Sequence, residues 1–176
     1  MSQQTDKKNT IGDATDKLVN GYNTMLDKLS EWTEKADETT GPMIINGVKE
    51  AEEFFAQLQD WSKEEIDLIS RYVKRDLHDA ASKMEQENKS FQQWLDFDLQ
   101  QTEEKLLSVF ANMADKTRLE LDHLEEMANE WHTGEVTSIG TLVCKKCAKE
   151  LHFHKAGRIP PCPVCHHTEF KRIGDS

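Results

Sequence analysis

The fold is decided by two short stretches, Cys144-Lys145-Lys146-Cys147 and Cys162-Pro163-Val164-Cys165, with 14 residues between them. A Cys-x-x-Cys turn directs two thiolates at one ion, and two such turns complete a tetrahedron. Zinc suits this donor set because it has no ligand-field preference and accepts soft sulfur ligands. The spacing therefore predicts one structural zinc ion, bound by Cys144, Cys147, Cys162 and Cys165. Four-sulfur coordination leaves no open position for water or substrate, which argues against a catalytic metal.

Other uses of the four cysteines fit the sequence less well. Disulfides need an oxidising compartment, and the polar segment 1–9 lacks the apolar core of a signal peptide. A redox dithiol normally uses one Cys-x-x-Cys pair on a βαβ scaffold. Iron in a rubredoxin-like redox site has the same ligand pattern as zinc, and it stays open as the alternative metal.

Short strands are predicted on both sides of the cysteine pairs. Residues 135–143 mix β-branched residues with Gly and indicate a strand that runs into the first pair, while 151–154 and 169–173 alternate apolar and polar residues. Three short strands around two cysteine turns describe a zinc ribbon.

Charge divides the chain near Gly134. Residues 1–133 hold 15 Lys+Arg against 29 Asp+Glu, a net charge of −14, whereas 134–176 hold 7 against 4, a net charge of +3. We therefore predict a flexible N-terminus, 1–10, an acidic α-helical domain, 11–133, and a zinc-ribbon domain, 134–176.

The acidic part has a helical pattern. Apolar residues recur at helical spacing from Ile11, and the first helix should stop at Thr39-Thr40-Gly41-Pro42. The 86 residues 48–133 contain neither Gly nor Pro, and capping boxes begin at Ser62 and at Ser90. The predicted inward-facing residues of the helices are Ile11, Thr15, Leu18, Tyr22, Met25, Leu29, Trp32, Ala36, Ile44, Val48, Ala51, Phe55, Leu58, Ile66, Ile69, Val73, Leu77, Ala80, Met84, Leu95, Leu99, Thr102, Leu106, Val109, Met113, Leu121, Leu124, Ala128 and Trp131.

The predicted fold class is mainly α, followed by a small C-terminal β zinc ribbon. Two arrangements of the helices fit equally well. One is a bundle of long helices joined by short turns, and the other is an elongated hairpin with coiled-coil character that completes its core by forming a homo-oligomer. No apolar stretch approaches the roughly 18 residues that cross a bilayer, so no membrane contact and a cytoplasmic location are expected.

Three further features have a bland and a functional interpretation. Glu120-Leu121-Asp122-His123 holds a single Glu-x-x-His, which a solvated helix face explains better than a di-iron site. His132 is predicted to satisfy the carbonyls at the end of the last helix. Basic ribbon residues either solubilise the ribbon or bind nucleic acid phosphates, with Phe153 or Phe170 stacking on bases. These basic residues are Lys145, Lys146, Lys149, Lys155, Arg158, Lys171 and Arg172.

The chain resembles a family of bacterial zinc ribbon-containing proteins of uncharacterised function. The specific part of the resemblance is the junction Trp131-His132-Thr133-Gly134-Glu135-Val136, the segment 139–147 and the closing pair at 162–165. The resemblance implies an acidic helical domain before a C-terminal ribbon and places the zinc ligands on the four cysteines. One departure is His166, which follows the last cysteine where ribbon knuckles commonly have Gly.

The sequence thus favours a non-enzymatic zinc-binding protein that acts in protein interaction, as a scaffold or as a regulatory factor. The alternative is a nucleic-acid- or transcription-associated ribbon factor. An iron-containing redox protein is a third hypothesis, because iron uses the same four-sulfur ligand pattern. Nothing in the sequence indicates a phosphate loop, a nucleophile elbow or a catalytic triad.

Overall fold

The computed structural model describes residues 3–36, 43–87, 104–118 and 130–173. Four helices lie in these ranges: α1 (Gln3–Lys35), α2 (Met43–Gln57), α3 (Lys63–Glu87) and α4 (Glu104–Arg118). Six short strands follow: β1 (Trp131–His132), β2 (Val136–Thr137), β3 (Gly140–Cys144), β4 (Glu150–Phe153), β5 (Gly157–Arg158) and β6 (Glu169–Arg172). The predicted fold class, mainly α with a small C-terminal β ribbon, is confirmed.

The four helices form a bundle around one apolar core. α1 packs against α2 and α3, and α3 packs against α4. Small residues allow the helices to approach closely: a Cβ at Gly47 of α2 would lie 2.5 Å from Leu29 Cδ1 of α1, and a Cβ at Gly21 would lie equally close to Ile69 Cδ1 of α3. Of the two arrangements that fit the sequence, the described helices adopt the bundle. None of them has the length and apolarity that crossing a bilayer requires.

Most predicted inward-facing residues are buried where the structure describes them. In α3, each predicted inward-facing residue from Ile66 to Met84 has at most 6% of its surface exposed. Leu58 is an error of prediction, because α2 ends at Gln57 and Leu58 lies in the following turn, 38% exposed. The predicted residues at 95–102 and 121–128 lie outside the described residues.

Helix ends follow local sequence signals. The capping box at Ser62 is confirmed, since its backbone N–H donates to Glu65 Oε2 (2.9 Å) and the Glu65 N–H donates to Ser62 Oγ (3.2 Å). Lys17 of α1 also donates to Glu65, and these contacts lower the pKa of that carboxyl. α1 begins at Gln3, earlier than the Ile11 that the apolar pattern marks. The predicted stop at 39–42 and the second capping box at Ser90 lie outside the described residues.

The ribbon contains a four-stranded antiparallel sheet in the order β1-β6-β3-β4 and a two-stranded sheet of β2 and β5. Strands predicted at 151–154 and 169–173 correspond to β4 and β6. The strand predicted over 135–143 is divided into β2 and β3, with Ser138 and Ile139 between them. The break has a tertiary cause, because the Ser138 N–H donates to the Asp76 carboxylate of α3 (2.8 Å) instead of to a strand.

The junction before the ribbon differs from its prediction. Trp131 was expected on the last helical face and His132 at the end of that helix, but both lie in β1, paired with Phe170 and Glu169 of β6. His132 Nδ1 lies 3.5 Å from Glu135 Oε1. The Trp131 indole is completely buried in the apolar cluster around the cysteines.

Contacts cross the predicted boundary at Gly134. Val136, Ile139 and Ala156 belong to the same apolar cluster as the helices. A second, smaller cluster lies around the cysteines and includes Trp131 and Phe170. The helices and the ribbon are therefore in apolar contact on one side of the ribbon, while the cysteines have a core of their own.

Candidate metal centre

The four cysteines converge on one point. Their sulfur atoms all lie within 4.8 Å of one another, with Cys144 Sγ 3.5 Å from Cys165 Sγ and Cys147 Sγ 3.5 Å from Cys162 Sγ. A tetrahedron with metal–sulfur bonds of about 2.3 Å has edges of about 3.8 Å. The separations match such a tetrahedron and exceed a disulfide bond of about 2.05 Å. All four cysteines have free thiols.

The two cysteine turns have the same backbone geometry. The Ala148 N–H donates to the Cys144 carbonyl (3.0 Å), and the His166 N–H donates to the Cys162 carbonyl (2.9 Å). Ala148 and His166, each following the second cysteine of its pair, have φ angles of 59° and 58°. The left-handed conformation at these positions turns the chain so that both sulfurs of a pair point to the same side.

Replacing His166 with glycine should stabilise the ribbon. A residue with a Cβ is disfavoured by about 1–2 kcal/mol in the left-handed region, and glycine regains part of this at the cost of its larger unfolded-state entropy. We expect the free energy of unfolding of the metal-bound protein to rise by about 1 kcal/mol in His166→Gly, measured by chemical denaturation. Lys149→Gly, at an exposed position with an ordinary φ, is the control and should lose stability. Equal behaviour of the two variants would contradict this explanation.

Electrostatics within the sulfur cluster favours a cation. Burial raises the pKa of the Cys162 thiol, but the N–H groups of Cys165 and Val164 outweigh it and lower this pKa to about 6. At Cys147 the Lys149 N–H lowers the pKa, while burial and the other three sulfurs raise it, with a net rise to about 12. One thiolate therefore forms readily and opposes the ionisation of its neighbour. A divalent cation at the centre of the cluster would remove this opposition, because it compensates the negative charge of several thiolates together.

The donor set thus fits zinc, with one sulfur contributed by each of the four cysteines. Cys144 and Cys162 are buried in the small ribbon core, Cys165 is half-buried and Cys147 is exposed. Four thiolates would fill the coordination sphere of a zinc ion, which would then cross-link the two cysteine turns.

A family model described as a zinc-ribbon containing domain matches residues 27–173. The chain belongs to this family. The match begins near the end of α1 and extends through β6, so it covers α2 to α4 as well as the ribbon and confirms the resemblance stated from the sequence.

The chain is also similar to curated bacterial proteins. The chain is 28% identical over 159 residues to a protein named "Uncharacterized protein YbeL" in Escherichia coli K12, covering 89% of this chain and 96% of the relative. The protein of that name in Escherichia coli O157:H7 gives the same values. No solved structure gives a significant match.

The basic residues singled out for nucleic acid binding are not equivalent in the structure. Lys146, Lys149 and Lys155 are exposed. Lys145 donates to Glu130 Oε1 (2.9 Å). Arg172 is only 1% exposed, with Nε 3.4 Å from an oxygen of Asp79, and it cannot contact a phosphate on the surface. Including Arg172 among surface contacts was therefore an error.

The remaining residues predicted to contact nucleic acid also differ in their exposure and contacts. Arg158 Nε donates to the Gly134 carbonyl (2.9 Å), and Lys171 is half-buried. Phe170 is fully buried, so it is not available to stack on a base, whereas Phe153 is partly exposed. The Glu-x-x-His of 120–123 lies outside the described residues.

Sequence reasoning missed a buried polar cluster where α3 meets the ribbon. Its signal was present: Asp76 lies three residues after Val73 and four before Ala80, so helical spacing places it on the apolar face. We call these residues the junction cluster: Tyr22, Arg75, Asp76, Asp79, Trp131, Thr137, Ser138 and Arg172.

Proposed function

We propose that this protein is a non-catalytic zinc-binding protein in which the metal is structural and the ribbon docks a protein partner. The observation that carries the proposal is the cluster of four thiols, whose second Cys-x-x-Cys turn exposes an apolar side chain to solvent. Val164 lies between two of the ligands and is 63% exposed, beside the exposed Pro161 and Pro163. Exposed apolar groups on a rigid turn favour a protein contact when they lie together.

The charges of the chain support a protein partner over a nucleic acid. The residues up to 133 carry a net charge of −14, which repels a polyanion. Among the basic ribbon residues singled out, Lys145 and Arg172 form ion pairs with carboxylates. Three exposed lysines, Lys146, Lys149 and Lys155, favour the second candidate, a nucleic-acid-associated ribbon factor.

A cytoplasmic location belongs to the proposal, because free thiols persist in reducing compartments. Zinc, and not iron, is the proposed metal. Metal analysis of the purified protein tests this choice, since iron in four thiolates gives a visible absorption band that zinc does not.

Partner capture by the full-length tagged protein tests the docking proposal. Val164→Asp places a charge on the ribbon turn without altering a ligand, so we expect at least a tenfold loss of the captured partner with unchanged metal content. Leu58→Asp is the matched control, because Leu58 is the other large apolar side chain exposed among the described residues, and it should retain the partner. The comparison is made with and without nuclease.

The outcomes of this experiment are distinct. Loss of the partner in Val164→Asp alone supports docking through the ribbon turn. Equal capture by both variants contradicts it. Recovery that nuclease abolishes, and that falls steeply with salt, supports the nucleic acid alternative and contradicts the docking proposal.

A further inference from the structure

The Asp76 carboxylate is the centre of the junction cluster. It is 0% exposed and accepts five hydrogen bonds. Two come from the bundle, from the Tyr22 hydroxyl (2.9 Å) and Arg75 Nε (3.1 Å). The other three come from residues beyond 130: Trp131 Nε1 (3.0 Å), Thr137 Oγ1 (3.1 Å) and the Ser138 N–H (2.8 Å). Most of the polar surroundings of this helix residue are therefore supplied by the ribbon.

Asp76 stays ionised because its partners compensate its burial. Burial raises the pKa of its carboxyl, but the guanidinium groups of Arg75 and Arg172 and the hydrogen bonds that it accepts outweigh this and keep the pKa below its ordinary value. Arg172 Nη2 lies 3.7 Å from Asp76 Oδ1, and Arg172 itself belongs to β6. A buried carboxylate that loses such partners is strongly destabilising.

The ribbon residues that contact Asp76 also lie next to the cysteines in the fold. Trp131 lies in the small apolar cluster that contains Cys144 and Cys162, and its indole N–H points to Asp76. Arg172 lies two residues after Phe170, which pairs with Cys144 between β3 and β6. The ribbon has only a small core of its own around the cysteines, so a bound metal would hold these donors in place.

We propose that Asp76 latches the bundle to the ribbon, so that metal occupancy of the four cysteines controls the stability of the helices around Asp76. When the metal leaves, the ribbon loosens, Asp76 loses its three donors and Arg172, and the helix face that packs on Val136 and Ile139 is uncovered. The proposal depends on metal binding by the cysteines and not on the partner, so failure of the docking proposal does not affect it.

Because of thermodynamic linkage, the coupling between the Asp76 contacts and the metal can be measured as a change in zinc affinity. If the metal stabilises the bundle through Asp76, then loss of the Asp76 contacts weakens metal binding by the same factor, although Asp76 is not a ligand. We therefore expect Asp76→Asn to lower the apparent affinity for zinc at least tenfold, measured on the full chain by competition with a chelator. Asp67→Asn, at an exposed position of the same helix, should leave the affinity unchanged.

A second pair of variants keeps the test decisive if Asp76→Asn does not fold. Thr137→Val preserves shape and removes one hydroxyl donor to Asp76, from a sheet that does not contain Cys144. Thr141→Val removes an equally buried hydroxyl from β3, nearer the cysteines, but that hydroxyl bonds to His152. A larger loss of zinc affinity in Thr137→Val than in Thr141→Val is expected, and the reverse order would overturn the proposal.

Hydrogen exchange of the unmodified protein measures the effect of the metal on the stability of α3. Removal of zinc by chelator should accelerate amide exchange in α3 at least tenfold, together with exchange in the ribbon. Unchanged protection of α3 while the ribbon loses its protection would show two independent parts and would overturn the latch.

Discussion

Replacing Cys147 with serine should reduce zinc affinity about a hundredfold. Structural zinc binding is worth about 10–16 kcal/mol, so one of four equivalent thiolates accounts for roughly 3 kcal/mol, which corresponds to a factor of about a hundred. Serine keeps the size of the side chain but does not ionise near neutral pH. Because Cys147 is exposed, whereas Cys144 and Cys162 are buried, the substitution removes a ligand with little change in packing. Chelator competition and metal content measure the effect.

Two further variants serve as controls for Cys147→Ser. Lys146→Ser changes an exposed residue of the same turn and should keep full affinity. Cys147→His supplies another common zinc ligand and should recover part of the affinity that serine loses. Full zinc affinity in Cys147→Ser would mean that the site does not use this sulfur, and the four-ligand assignment would be wrong.

Truncating Trp131 to alanine should be the most damaging change outside the cysteines. Its side chain is fully buried, and substitutions of buried tryptophan by alanine cost about 3–5 kcal/mol. The substitution also removes a donor to Asp76 and an aromatic ring that lies 5.0 Å from the Arg75 guanidinium and 5.1 Å from that of Arg172. We expect the free energy of unfolding, measured by denaturant titration with zinc in excess, to fall by about 4 kcal/mol.

Trp32→Ala is the matched control for this prediction. Trp32 is partly exposed on α1, where it lines a shallow surface groove, so its truncation removes less buried area and should cost about 1–2 kcal/mol. Similar losses in the two variants would contradict the importance assigned to Trp131. Because both proteins retain all four cysteines, the comparison separates packing from metal ligation.

Features that depend on neighbours in the chain were predictable from the sequence. The approach of two sulfurs within each cysteine pair follows from the Cys-x-x-Cys spacing, because a short turn by itself brings both sulfurs to one side. The reciprocal bonds of Ser62 and Glu65 follow from their separation by three residues. The buried face of α3 follows from helical periodicity, which fixes which side chains share a face before any partner is known.

Errors and omissions occur where distant segments decide the outcome. Trp131 was assigned to a helix because its spacing fits a helical face, but pairing with Phe170 makes it part of a sheet. Arg172 was counted as a surface charge because arginines usually are, yet it is buried beside Asp76 and Asp79. Neither contact can be read from local spacing.

The sequence by itself determined the thiolate site, the helical character of the acidic part and the presence of a ribbon, since each depends on short-range periodicity or on ligand chemistry. Only the tertiary structure decided that the helices form a bundle and that the ribbon packs on it through a buried carboxylate. The physical reason is that a buried Asp76 needs partners from distant parts of the chain. Four of its hydrogen-bond donors lie 54 to 62 positions away and Arg172 lies in β6, so these partners meet only once the chain has folded.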